Sequence, residues 1–175
     1  MKKDSFLVAL LVENHYGVLT RIAGLFSKRG FNIDSLTVSE SQIPGLSRMT
    51  IVVSGDDYVR DQVTKQLAKL VDVKTVQLME PDSTVVRELM LVKVAVTAAN
   101  RAEVTEAANV FRGKIVDLGP DYMSVEITGE VGKLDAFLEY MRGIGVVEMC
   151  RTGVTAVGRG EYCLSCSEVE ATENT

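Results

Sequence analysis

The chain has 175 residues, 46% of them hydrophobic and 25% charged, with three prolines. That balance fills the core of one large domain or two small ones and excludes a disordered or collagen-like polymer. A formal net charge of −5, no Trp and 6% aromatics argue against a surface built for phosphate backbones or stacked bases.

No run approaches the ~18 apolar residues of a membrane span. The start, Met1-Lys2-Lys3 and a short apolar run, has no small-residue cleavage site behind it, so a cytoplasmic protein is expected. Cys150, Cys163 and Cys166 are an odd count, all late, which suits reduced thiols better than a disulfide framework.

Residues 6–12 form a continuous apolar run, the pattern of a strand covered on both faces. Glu13, Asn14, His15, Tyr16 and Gly17 interrupt it with turn-forming residues. Val18, Leu19, Ile22, Ala23, Leu25 and Phe26 then recur at helical spacing, and Arg29-Gly30 marks the stop. Residues 31–39 and Leu46–Ser54 read as strands around a turn at 41–45, where Pro44 and Gly45 are the strongest breakers. A second helix from Tyr58 to about Lys69 carries a stripe of Val59, Val63, Leu67, Leu70 and Val71, and Val73–Leu78 closes with a strand.

The order β-α-β-β-α-β is the ferredoxin-like arrangement, a four-stranded antiparallel sheet with two helices on one face. After a polar, proline-broken linker at 80–84 it starts again. Residues 89–96 read as a strand, 101–112 as a helix, Lys114–Leu118 and 122–128 as strands around Gly119-Pro120, 133–142 as a helix, and 146–150 as the closing strand. The reading is therefore an α+β protein of two tandem ferredoxin-like domains, 1–79 and 85–159, followed by a tail at 160–175.

The strongest local constellation is Asn14-His15-Tyr16-Gly17-Val18, at the junction of the first strand and first helix. A helix start presents unsatisfied N–H groups and a positive dipole end, so it accepts a carboxylate. Gly17 lets a small ligand approach the backbone, and Asn14 offers both donor and acceptor. Asn32, at the start of the second strand, is expected near the same corner with a second amide. These features meet the needs of a free α-amino acid, but spacing alone leaves open that Asn14 and Gly17 are only cap and turn residues.

His15, the one histidine, has no serine, cysteine or second histidine beside it in sequence, so a solvated loop histidine is expected rather than a catalytic base. Cys163-Leu-Ser-Cys166 is a CxxC pair in an acidic tail, without the four ligands of a zinc site. Arg48, Arg60, Lys65 and Lys69 alternate with acids and read as a solvated face. Gly158-Arg-Gly160 matches neither nucleotide fingerprint.

The motif Asn14-x-x-Gly17, the run Gly24-Leu-Phe-Ser-Lys-Arg-Gly-Phe-Asn-Ile-Asp-Ser-Leu-Thr-Val38, and then Leu46-Ser-Arg-Met49 and Arg87-Glu-Leu-Met-Leu-Val-Lys93 closely resemble the small regulatory subunit of bacterial acetolactate synthase. Phe111-Arg-Gly-Lys-Ile-Val-Asp117, Gly132-Lys-Leu-Asp-Ala-Phe137 and Arg151-Thr-Gly153 extend the resemblance, which covers roughly residues 5 to 159.

It implies an N-terminal ACT domain, a related second domain, and no active site or cofactor on this chain. In such a pair the large catalytic subunit carries thiamine diphosphate, magnesium and FAD. The small subunit raises its activity and confers feedback inhibition by a branched-chain amino acid, usually valine, bound between two ACT domains of a homodimer. Carried onto this chain, the effector contacts fall on Asn14, Gly17 and Asn32 with the backbone of Val18 and Ile33. The tail after Gly160 inherits nothing, and His15-Tyr16 stands where the family varies.

A stand-alone amino-acid-sensing ACT protein is the alternative on the same residues. An acylphosphatase-type hydrolase would need an arginine-bearing phosphate cradle before the first helix, and an RNA-binding module aromatic central strands. Neither is present in 14–17, 7–11 or 49–53.

Overall fold

A computed structural model describes residues 4–164 and divides them between two compact units, one built on the chain up to Val85 plus the segment from Val154, the other on Val86–Gly153.

In the first unit, β1 (Ser5–Glu13), β2 (Asn32–Glu40), β3 (Leu46–Ser54) and β4 (Val73–Leu78) form an antiparallel sheet in the order β2-β3-β1-β4, with α1 (Val18–Arg29) and α2 (Asp57–Leu67) between them in sequence. The helix-side core holds Val8, Leu10, Val12, Met49, Ile51 and Val53 from the strands, with Val18, Ile22, Phe26, Val63 and Leu67 from the helices. Val18, Ile22 and Phe26 recur every fourth residue, so one side of α1 lies on the sheet. Gly30 closes α1 at φ 67°, where Phe31 N–H reaches the Phe26 carbonyl at 3.0 Å. The two rings meet edge to face at 6.2 Å, the hydrophobic contact that accompanies such a cap. Asp56 starts α2 by accepting from Val59 N–H at 2.9 Å.

The second unit repeats the plan. Here β5 (Thr84–Ala95), α3 (Arg101–Val110), β6 (Lys114–Leu118), β7 (Tyr122–Gly129), α4 (Val131–Ile144) and β8 (Val146–Arg151) give the strand order β6-β7-β5-β8 around a separate core. The repeat extends to its irregularities. A register shift falls between Ile33 and Ser35 in β2 and between Ile115 and Asp117 in β6. Another falls between Leu11 and Val12 in β1 and between Lys93 and Val94 in β5.

Several expectations need correction. The linker at 80–84 is a short 3-10 turn, Pro81–Ser83, running straight into β5. Residues from Val154 onward contain an additional strand that the sequence reading lacks, β9 (Thr155–Gly158), which pairs with β5 while Val154 and Ala156 bond to residues of β2 and β3. Ser35 Oγ accepts from Val154 N–H at 2.8 Å, Thr37 Oγ1 donates to the Val154 carbonyl at 2.9 Å, and Arg48 Nη2 donates to the Ala156 carbonyl at 2.7 Å. Ser35, Thr37 and Arg48 lie on the sheet face away from the core, with Leu7, Ala9 and Leu11 of β1. Those three, like Val154 and Ala156, are buried, so β1 is covered on both faces as its apolar run predicts. Arg48 is thus a half-buried tie, not part of a solvated rim, whereas Arg60 and Lys65 do form exposed pairs with Asp57 and Asp61 on α2. Val71 is 86% exposed because α2 ends at Leu67. No helix among the described residues is long and apolar enough to cross a membrane.

Candidate functional site

The turn between β1 and α1 is fixed at its strand end by two backbone bonds, Glu13 N–H to the Asp72 carbonyl at 2.9 Å and Asn14 N–H to the Gly45 carbonyl at 2.8 Å. Gly17 is the N-cap of α1 at φ 85°, ψ −9°, a left-handed conformation that glycine adopts without a Cβ penalty. It supplies no side-chain cap, and the first turn holds no acidic residue. No side chain of the cap or first turn therefore takes up the free amides at the dipole end of the helix. Nothing lies within 4 Å of the point where a Gly17 Cβ would stand. Val18 buries its side chain in the core, leaving its backbone as the group at the helix start. Asn14 is exposed.

Asn32 opens β2, with its Nδ2 donating to Asp34 Oδ1 at 2.8 Å. Asp34 is the residue skipped in the β2–β3 register, and Ser54 Oγ donates to its other oxygen. Asp34 thus sets the Asn32 amide, a role that sequence reasoning missed. The spacing Asn-x-Asp on an edge strand is the only local signal for it. Ile33 lies opposite Val53 and packs against the core.

Asn14 and Asn32 are not at one corner of a single chain. Asn32 pairs with Ser54, which pairs with Ser5 at the start of β1, whereas Asn14 follows the end of β1. Because α1 carries the chain back along the full sheet, β2 runs parallel to β1. The two asparagines end about 25–30 Å apart, the length of a nine-residue strand.

His15 is 43% exposed but engaged. Its Nδ1 is 3.0 Å from the Tyr16 carbonyl, and its Nε2 is 3.1 Å from both Glu13 Oε2 and Asp72 Oδ1. Lys74 Nζ sits 2.6 Å from Glu13 Oε1, and Arg21 pairs with Asp72. Lys74 and then His15 hold the Glu13 carboxyl below the usual range. The Tyr16 carbonyl, with Asp72 and Glu13, raises the His15 pKa above the ordinary imidazole value.

Donor atoms of Glu13, His15 and Asp72 lie within 4.8 Å of one another, the spacing of a possible cation site. Each carboxylate already carries a lysine or arginine partner, so the cluster is built as an ion-pair network. Cys163, exposed, stands near the end of the described chain; its CxxC partner Cys166 lies outside the described residues.

A βαββαβ unit with this strand order is a ferredoxin-like domain, and the family it belongs to is shown by comparison. The model of the acetolactate-synthase small-subunit-like ACT domain matches residues 8–75, and the model of the small subunit of acetolactate synthase matches residues 87–160. The probable acetolactate synthase small subunit of Methanothermobacter thermautotrophicus is 52% identical over 161 residues, covering 91% of this chain and 96% of its own. The isozyme 3 small subunit of Escherichia coli is 46% identical, covering 89% and 96%. The crystal structure of the Thermotoga maritima small subunit superposes with a TM-score of 0.83 at 42% identity, over 89% of this chain and 98% of that one. The chain belongs to the acetolactate synthase small-subunit family.

Proposed function

We propose that this chain is the regulatory subunit of acetolactate synthase in branched-chain amino acid biosynthesis, acting in the cytoplasm without catalytic chemistry of its own. It binds the large catalytic subunit, which holds the thiamine diphosphate, magnesium and FAD, raises its activity, and makes it sensitive to valine. The observation that carries the effector reading is the uncapped start of α1 behind Gly17, with open space beside it and no acid in the first turn. There the ligand carboxylate takes the amides of Gly17 and Val18, and the carbonyl oxygens of Asn14 and Asn32 take its ammonium.

A single chain keeps Asn32 at the far end of the sheet, so the site needs a second copy. β2 is an edge strand, and a two-fold axis pairing it antiparallel with its mate brings Asn32 and Ile33 of one protomer to the Asn14–Gly17 end of its partner. The homodimer completes the site.

The test is to purify the chain with a thiamine-diphosphate-dependent acetolactate synthase large subunit and assay the complex with and without valine. Co-purification, a raised rate and valine inhibition that requires this chain are expected. A large subunit whose rate and valine response are the same without this chain would overturn the reading.

A further inference from the structure

We infer that His15 is a positioning residue of the effector turn, fixing the Tyr16–Gly17 peptide at the start of α1, so that effector binding strengthens as the ring takes up its second proton. The inference rests on reading that turn as the effector site.

The Tyr16 carbonyl and the two ionised carboxylates facing the ring can only accept hydrogen bonds. Satisfying Nδ1 towards Tyr16 and Nε2 towards Glu13 and Asp72 together therefore requires N–H on both nitrogens, which is the imidazolium. A neutral ring keeps one hydrogen and must release either the carbonyl or the carboxylates. The charged groups facing the ring come from every element around it: Glu13 from β1, Asp72 from the turn ahead of β4, Lys74 from β4 and Arg21 from α1.

The consequence reaches the ligand through one peptide plane. The Tyr16 carbonyl and the Gly17 N–H belong to the same trans peptide unit, so they point in opposite directions. Holding the carbonyl holds the amide. The strand end is already tied at Glu13 and Asn14, which leaves residues 15–17 as the part that the ring governs. Gly17, free to rotate as no other residue is, is where that control matters. The imidazolium, set between Glu13 and Asp72, also adds one positive charge beside a helix whose own first turn holds no acidic residue.

His15 is the one histidine of the chain, so its ring resonances are unambiguous by nuclear magnetic resonance. In the ligand-free protein the Gly17 amide resonance should titrate with the same midpoint as the ring, above about 6.5. Calorimetric titration should then show valine binding about three- to tenfold weaker near pH 8.5 than near pH 6. In His15→Ala only the slope due to titration of the ligand itself should remain, with affinity near that of the wild type at high pH. A Gly17 amide that does not follow His15, or a pH slope as steep in His15→Ala as in the wild type, would overturn the inference. If the amide follows the ring but valine does not bind at any pH, the effector reading fails while the positioning role stands.

Discussion

Gly17 carries two roles that a substitution separates. Its φ of 85° costs an ordinary L-residue about 1–2 kcal/mol, but aspartate tolerates this region better than most, and no atom lies in the way of its Cβ. Gly17→Asp is therefore expected to fold, since an aspartate at an N-cap also satisfies a helix amide. Its carboxylate then occupies the place of the ligand's own. Valine binding should vanish in calorimetry while the melting temperature moves by only a few degrees, and an unchanged affinity would remove this turn from the effector site. The glycine turn at Gly17 was legible in sequence because turn chemistry is local. The roles of Asp34 and Asp72 were not: one depends on a register shift in β2, the other on a contact from the far end of the unit.

Between elements, two ties decide stability. In the second unit Arg151 of β8 forks onto buried Glu88 of β5, with Nε to Oε1 at 2.9 Å and Nη2 to Oε2 at 2.6 Å, and its Nη1 reaches Asp135 of α4 at 2.6 Å. Arg151→Ala leaves the Glu88 charge buried and unpaired, which costs about 3–5 kcal/mol. Adding Glu88→Leu should recover most of that loss in urea unfolding, and a double variant no more stable than the single one would refute the account.

In the first unit, Val154→Asp places a charge where a buried side chain now lies beside Ser35 and Thr37. A loss of more than about 2 kcal/mol is expected, and an unchanged denaturation midpoint would show that the returning segment adds nothing. The strand β9 escaped sequence reading because its four residues, the last of them Gly158, carry too little periodicity to identify. Val71 was misplaced because an apolar stripe shows which face is buried, not where the helix stops.

For the whole molecule, assembly and regulation are one prediction. Val38 sits on edge strand β2, 45% exposed. Val38→Asp puts two like charges across the proposed two-fold axis, so dimerisation and valine binding should weaken together in sedimentation and calorimetry. A variant that stays dimeric and binds normally would place the interface elsewhere. Inhibition is expected to act by linkage. If valine disfavours the active complex by a typical ~1–3 kcal/mol, forming that complex must weaken valine binding by the same factor. Equal affinities for the chain alone and for the active complex, alongside full inhibition, would contradict linkage.

The amino-acid sequence by itself determined the repeated βαββαβ order, both cores and the glycine turn. Each of these rests on near-neighbour chemistry: apolar period, helix stops, and residues able to take positive φ. Only the tertiary structure decided that 154–158 carry a further strand bonded back to β2 and β3, that Asn14 and Asn32 stand at opposite ends of one sheet, and that His15 bridges two carboxylates. Those depend on strand direction, register and contacts between residues far apart in the chain, and pairwise geometry of that kind leaves no periodic trace in a single sequence.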